Sequence, residues 1–419
     1  AIQRSDAQKG EHAVFLSGNF PLVTVLQEAL ACDKVEQEKQ CGNRVSKTDA
    51  LRSTSAFIQI IHKYRDSFVG NDNIPPERVA IFDEAQRSWT HQRIANYLKR
   101  GGTYGNKLKV PNFPMSEAEF LIWSLDQRED WANIICLVGG GQEINTGEAG
   151  ISEWIKALNT RFPHWKVYIS DKLTDPEYAE GKVNELLKNN KNVTFCESLH
   201  LAVSLRSFRA ETLSSLVHSL LSFGSRTSDL YKDVRSKKYP FYITRDMDKA
   251  REWLRKKARG SEQTGVLVSK VAARFKPLAI NVLPQGDENA VHWFLEDKTD
   301  VRSSNYLEEA ATEIQVQGLE LDYVCVLWDA DMRAVNGKWE YYKFNGRDKW
   351  TPENNQERQK YMLNAYRVLL TRARQGLIIC IPYGNNRRLA NGFPEDATRL
   401  PEFYNGTYEY FKSLGFEEV

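Results

Sequence analysis

The chain has 419 residues, long enough to bury large cores in two or three domains. With 41% hydrophobic and 27% charged residues it has the composition of a soluble globular protein, and it contains no low-complexity tract, no internal repeat and no apolar run of membrane-spanning length. The formal charge of +2 decides little about partners, because a local basic stripe serves a nucleic-acid binder as well as a basic excess does.

The sequence opens "AIQRSDAQKGEHAVFLSGN". Residues 1–9 read as the tail of a helix, Gly10 as its stop, and "AVFLS" as a strand with its exit loop. From there strand-like runs ("VAIFD", "IICLVG", "WKVYIS", "FYIT", "GVLVS", "YVCVLW", "LIICIP") alternate with amphipathic stretches ("PLVTVLQEALA", "EAEFLIWSLDQRE", "ISEWIKALNTRF", "AETLSSLVHSLLSF", "MDKAREWLRKKA"). Short continuous apolar strands suit parallel sheets covered on both faces, and their alternation with helices predicts an α/β fold. The strands are too many for one compact sheet. We expect two domains, 1–200 and 201–419, parted after the "VTFCES" strand. Residues 101–114, 283–309 and 333–355 read as long loops or insertions, the last rich in Trp, Tyr, Lys and Asn.

The six cysteines include no CxxC pair and have no histidine at metal-ligand spacing. Cys136, Cys196, Cys325 and Cys380 lie in apolar, strand-like runs and read as buried, reduced thiols of a cytoplasmic protein. The basic clusters "RSKK" and "RKKAR" read either as solvated faces or as part of a nucleic-acid stripe.

Several stretches could carry chemistry. In "RVAIFDEAQRSW" an apolar run ends in Asp83 and Glu84, where open α/β sheets bind ligands. Asp83 there could hold a magnesium ion and Glu84 could polarise a water; the same acids also suit the start of a helix. "CLVGGGQEINTGEAG" runs from a strand into three glycines and Gln142, either a ligand-contacting loop or a plain connection. "GGTYGNKL" mimics a phosphate loop, but no Ser or Thr follows its lysine and no strand precedes it; it reads as a loop. "SLRSFRAE" and "NAYRVLLTRARQGLIICIP" supply Arg206 and Arg372, candidates for steadying phosphate charge or for surface ion pairs. "EIQVQGLELDYVCVLW" sets Gly318 and Glu320 in a turn before a strand.

In order, "FLSGNFPL", "VAIFDEAQ", "LVGGGQEIN", "SLRSFRAE", "EIQVQGLELDYV" and "YRVLLTRAR" resemble motifs Ia, II, III, IV, V and VI of superfamily 1 helicases. Their wording is most similar to the bacterial helicase-like family related to the C-terminal domain of group-three Schlafen proteins. The resemblance spans Phe15 to Pro382 and implies two RecA-like parallel-sheet domains, of the P-loop NTPase type, with ATP in the cleft between them. By position it implies Asp83 as the Mg2+ carboxylate, Glu84 as catalytic base, Gln142 as γ-phosphate sensor, Arg206 and Arg372 as the arginines of motifs IV and VI, Gly318 and Glu320 near the ribose and phosphates, and Ser17 and Asn19 against a nucleic-acid backbone.

Two features depart from that family. No "GxxxxGK[ST]" phosphate loop occurs in the sequence. If residues 1–9 end the first helix, the missing lysine belongs about ten residues upstream, given usual helix lengths. A chain lacking that segment also lacks a central strand and is expected to be inactive as an ATPase. Second, "QEINTGEAG" lacks the aromatic residue on which motif III stacks a base, and Trp154 is far downstream. Residues 338–350 could supply stacking rings instead, or form a structural lid. The resulting expectation is an ATP- and Mg2+-dependent motor or switch acting on single-stranded DNA or RNA, without a membrane. The alternative is a non-unwinding regulatory or scaffold ATPase that signals to a protein partner.

Overall fold

The computed structural model describes residues 12–70, 73–101, 109–110, 112–139, 150–173, 181–201, 210–284, 287–345 and 349–419. The chain divides into two compact units, Ala1–Ala202 and Val203–Val419.

The first unit contains, in chain order, β1 (His12–Ser17), α1 (Phe20–Gln40), α2 (Lys47–Phe57), β2 (Ile58–Ile60), α3 (Ile61–Phe68), β3 (Glu77–Asp83), α4 (His91–Lys99), α5 (Glu117–Asp126), β4 (Asn133–Cys136), α6 (Ser152–Thr160), β5 (Val167–Ile169), α7 (Val183–Leu187) and β6 (Val193–Phe195). The strands form a parallel sheet in the order β2-β1-β3-β4 and a separate parallel pair, β5-β6. Helix starts follow local chemistry. Asn19 caps α1 ahead of Pro21, whose missing N–H costs nothing in a first turn. Ser116 and Glu119 close a reciprocal capping box on α5. One sheet face packs Val14, Leu16, Ala80 and Phe82 against α3, α5 and Trp154 of α6. Behind the other edge, Val23 of α1 packs on Ile58 and Ile60.

The sheet ends at β4, whose Ile135 is 43% exposed. Edge position also corrects the expectation for Cys136, which is exposed, while Cys196 is half-buried; only Cys325 and Cys380, in a central sheet, are buried as read.

The second unit contains α8 (Ala210–Leu221), α9 (Thr227–Ser236), β7 (Phe241–Thr244), α10 (Met247–Lys257), β8 (Thr264–Val268), β9 (Asn281–Val282), α11 (Asp287–Leu295), β10 (Glu309–Thr312), α12 (Glu313–Val316), β11 (Leu321–Leu327), β12 (Met332–Val335), β13 (Lys338–Asn345), β14 (Lys349–Pro352), α13 (Gln356–Leu370), β15 (Ala373–Cys380) and α14 (Glu402–Ser413). Its main sheet is parallel throughout, in the order β7-β15-β11-β8-β10-β9. Every residue of β8 is buried, as a central parallel strand requires. The α/β class with parallel sheets is therefore as the sequence reads.

Residues 283–309 read as a long loop or insertion, and the described part of them is not all loop. They contain α11 and lead into β10, with Ala290, Trp293 and Phe294 buried on one helical face. Trp293 lies against β8, where a Cβ at Gly265 would come within 2.8 Å of its ring and 2.7 Å of Leu321, so only glycine lets the helix approach. Residues 333–355 hold most of the antiparallel sheet β12-β13-β14. Trp339 of β13 is buried, stacks on Trp328 at 5.5 Å between ring centroids, and donates to the Leu221 carbonyl at 2.8 Å. Trp350 donates to the Thr398 carbonyl at 2.9 Å. Both indole N–H groups bond to protein carbonyls, which favours the structural-lid reading. Among the described residues, no helix is long and apolar enough to cross a membrane.

Candidate active site

In the first unit, register pairs Ser17 with Asp83 and Phe82 with Cys136, so β1, β3 and β4 end on one edge of the sheet. That carboxyl edge is where open α/β sheets receive ligands. Asp83 is the last residue of β3, and the chain turns sharply after it. Glu84 adopts φ 53° and ψ 48°, the left-handed region, at a backbone cost of roughly 1–2 kcal/mol for a residue with a Cβ. Such strain persists only where surrounding contacts hold it.

Those contacts converge on the turn. The Gln86 side chain, buried at 2% exposure, donates to the Glu84 carboxylate and accepts the Gly139 N–H at 3.2 Å. The Gln86 carbonyl accepts from Gly150 N–H at 2.9 Å, and Ala85 N–H donates to the Leu137 carbonyl at 2.9 Å. Trp154 donates its indole N–H to the Ala85 carbonyl at 2.9 Å. The strand-end carboxylates and the residues on both sides of the glycine loop are thus tied into one assembly.

A buried ionic network backs the turn. Glu117 accepts from Arg65 at 2.9 Å and from Trp89 N–H at 2.9 Å, and bonds His62 at 3.0 Å. Arg65, fully buried, also donates to Asp66 at 2.8 Å, and Tyr97 donates to the same carboxylate at 3.2 Å. Burial alone would raise the Glu117 carboxyl; the facing His62 and Arg65 outweigh it and hold it below the usual range. Trp89, and with it the segment after Glu84, is anchored to α3 and α5 through this network.

Electrostatics mark Asp83. Burial, and then the adjacent Glu84 charge, push its carboxyl up to about 6, against weaker pulls from the Glu84 N–H and Arg87. The ionised form is thus poorly solvated, a cost that a cation would offset. Among the described residues no cluster of three or more His, Cys, Asp or Glu could hold a metal. A single carboxylate still fits Mg2+, which keeps several waters and takes its other ligands from substrate phosphates.

Among the other candidates, Ser17 is buried at the end of β1, and its hydroxyl accepts the Asn19 N–H at 3.2 Å. Asn19 is buried and caps α1 through Leu22 N–H at 3.5 Å. Both side chains shape the turn between strand and helix. Gln142 and Arg206 lie outside the described residues. In the second unit, Gly318 takes φ 79° in the turn between α12 and β11, and Glu320 follows, half-buried. Arg372 is buried after α13 and donates from Nε to the Val368 carbonyl at 3.2 Å. Its own carbonyl accepts Leu321 N–H at 3.1 Å, which brings Glu320 and Arg372 to the same, amino-terminal end of β11 and β15. The sequence reading missed Gln86 and the anchoring role of Trp154. A signal for Gln86 was present: an amide two residues past Glu84 can donate and accept at once.

A model of the Schlafen group 3, DNA/RNA helicase domain matches residues 1–382. No curated protein matches the chain. Among solved structures, it is similar to Mss116p bound to ssRNA and AMP-PNP, with 9% identity, a TM-score of 0.28, and coverage of 90% of this chain and 61% of that one. That likeness is too slight to carry an argument about fold or function. The family match reaches from the first residue to Pro382, two residues past the end of β15, and the chain belongs to the Schlafen group 3, DNA/RNA helicase domain family.

Proposed function

We propose that this chain is the working part of an ATP- and Mg2+-dependent nucleic-acid motor or switch. The observation that carries the reading is the Asp83–Glu84 pair at the carboxyl end of β3, with Glu84 held in a strained backbone and its carboxylate gripped by Gln86. In this reading Asp83 holds the Mg2+, which supplies charge neutralisation to the phosphates. Glu84 orients and polarises the attacking water. Gln142 follows the γ-phosphate, Gly318 and Glu320 lie near the ribose and phosphates, and Arg206 with Arg372 steadies the charge that builds on the transferred group. The turn braced by Ser17 and Asn19 meets the backbone of single-stranded DNA or RNA.

A second reading, a non-unwinding regulatory ATPase that signals to a protein partner, is favoured by the aromatic side chains. Trp154 is buried against Ala85, and Trp339 lies in the core of the second unit, so neither offers a ring to a base. Stimulation of ATP hydrolysis by single-stranded DNA or RNA tests the shared claim. Directional translocation on the same strands then separates motor from switch: movement supports the first reading, and stimulated hydrolysis without movement supports the second.

A further inference from the structure

Beyond β15 and beyond the stretch matched by the family, the chain forms a small hairpin whose chemistry the proposed site does not use. Glu395 N–H donates to the Arg387 carbonyl at 2.9 Å, Arg388 bridges to Pro394, and Leu389 N–H donates to the Phe393 carbonyl at 2.8 Å. The hairpin leaves the carboxyl edge of the parallel sheet, the edge where such sheets meet ligands. Its surface is unusual for a solvent loop. Tyr383 is 63% exposed, Leu389 50% and Phe393 68%. Arg387 and Arg388 are exposed between these side chains, while the acids at the hairpin's base, Glu395 and Asp396, accept from Asn385 at 3.1 Å and from Arg274 at 3.2 Å. Among the described residues neither guanidinium meets a carboxylate; Arg388 only donates to the Gly392 carbonyl, at 2.9 Å.

Tyr383 is held in place from below. Arg245 is buried, lies 4.5 Å from the centre of the Tyr383 ring, and is fixed by the Ile381 and Pro382 carbonyls at 3.0 and 2.8 Å. One face of the ring is thus occupied by a fixed cation, and the exposed remainder is available for stacking.

We propose that this hairpin is a docking surface for single-stranded nucleic acid. Bases stack on Tyr383 and Phe393, with Leu389 as an apolar flank, and the backbone phosphates pass Arg387 and Arg388. Charge complementarity favours this occupant: rings interleaved with exposed guanidinium groups match a chain that alternates π-faces with phosphates. The inference rests on the nucleic-acid half of the proposed function and needs no ATP hydrolysis.

The test is fluorescence anisotropy of labelled oligothymidylate and oligouridylate with the full chain across a salt series. Tyr383→Ala with Phe393→Ala should weaken binding by at least about thirtyfold. Arg387→Gln with Arg388→Gln should reduce the slope of log affinity against log salt by about 1.4. The melting temperature of the arginine variant should stay unchanged, because those side chains are exposed; the aromatic variant, which loses the ring over Arg245, should remain folded with at most a small drop. Photocrosslinking of a halogenated oligonucleotide should label Tyr383 or Phe393. If the parent chain binds and both double variants bind equally well, the docking surface is overturned in favour of a protein-binding loop, while the nucleic-acid reading stands. If the parent chain binds neither oligonucleotide, both fall together.

Discussion

The buried amide of Gln86 donates a hydrogen bond to the carboxylate of Glu84, the residue with a left-handed backbone at the end of β3. The same amide accepts the Gly139 N–H, so one side chain couples the carboxylate turn to the start of the glycine loop. Gln86→Ala should therefore destabilise the first unit by about 1–3 kcal/mol, the usual cost of stranding buried polar groups. It should also lower the kcat of ATP hydrolysis and leave KM nearly unchanged, because its partner Glu84 is the proposed water-activating group. Denaturant unfolding and steady-state kinetics check the two halves.

Asp83 gives a pH signature. Its carboxyl is raised from 3.8 in the unfolded chain to about 6 in the fold, by burial and then by Glu84. Between those values the folded state holds the extra proton, so stability falls as pH rises, and the loss is complete above the folded value. Asp83→Asn should remove the cost. It should raise stability by about 1–2 kcal/mol near pH 8, after discounting for partial exposure, and change nothing near pH 3. Added Mg2+ should raise the melting temperature of the parent protein but not of the variant.

Glu117 shows the opposite sign. Burial is outweighed by His62 and Arg65, which hold its carboxyl low, so its stabilisation is present above the unfolded pKa and lost as pH falls through the folded one. Glu117→Gln leaves Arg65 buried without one of its carboxylates and should cost about 3–5 kcal/mol at neutral pH. The deficit should shrink in acid, as followed by urea unfolding across pH.

Trp339 separates lid from stacking platform. Trp339→Ala should destabilise the second unit by about 3–5 kcal/mol, because the ring is buried against Trp328. Oligonucleotide affinity of the folded variant should match that of the parent protein. A selective loss of affinity at unchanged stability would assign the ring to base stacking.

How much of this was legible in the sequence depends on the element. Continuous apolar runs such as "GVLVS" and "LIICIP" announce buried parallel strands, and both are strands here. Helix α11 was hidden because its apolar face rests on Ala290, Trp293 and Phe294 within a stretch crowded with charges. The exposure of Cys136 could not be read from "IICLVG", since an edge strand and a central strand share a composition and differ only in what lies beside them. At the candidate site, the carboxylate pair was visible as a strand ending in two acids. The left-handed Glu84 and its Gln86 partner were not, because backbone strain is set by tertiary contacts that no local pattern records.

The central claim is that Glu84 activates the water that attacks ATP. The most direct measurement is single-strand-stimulated ATP hydrolysis, parent protein against Glu84→Gln, with nucleotide binding followed in parallel. The account predicts that hydrolysis falls by at least about a hundredfold while ATP affinity is retained. A Glu84→Gln variant that hydrolyses ATP at the parent rate would contradict it.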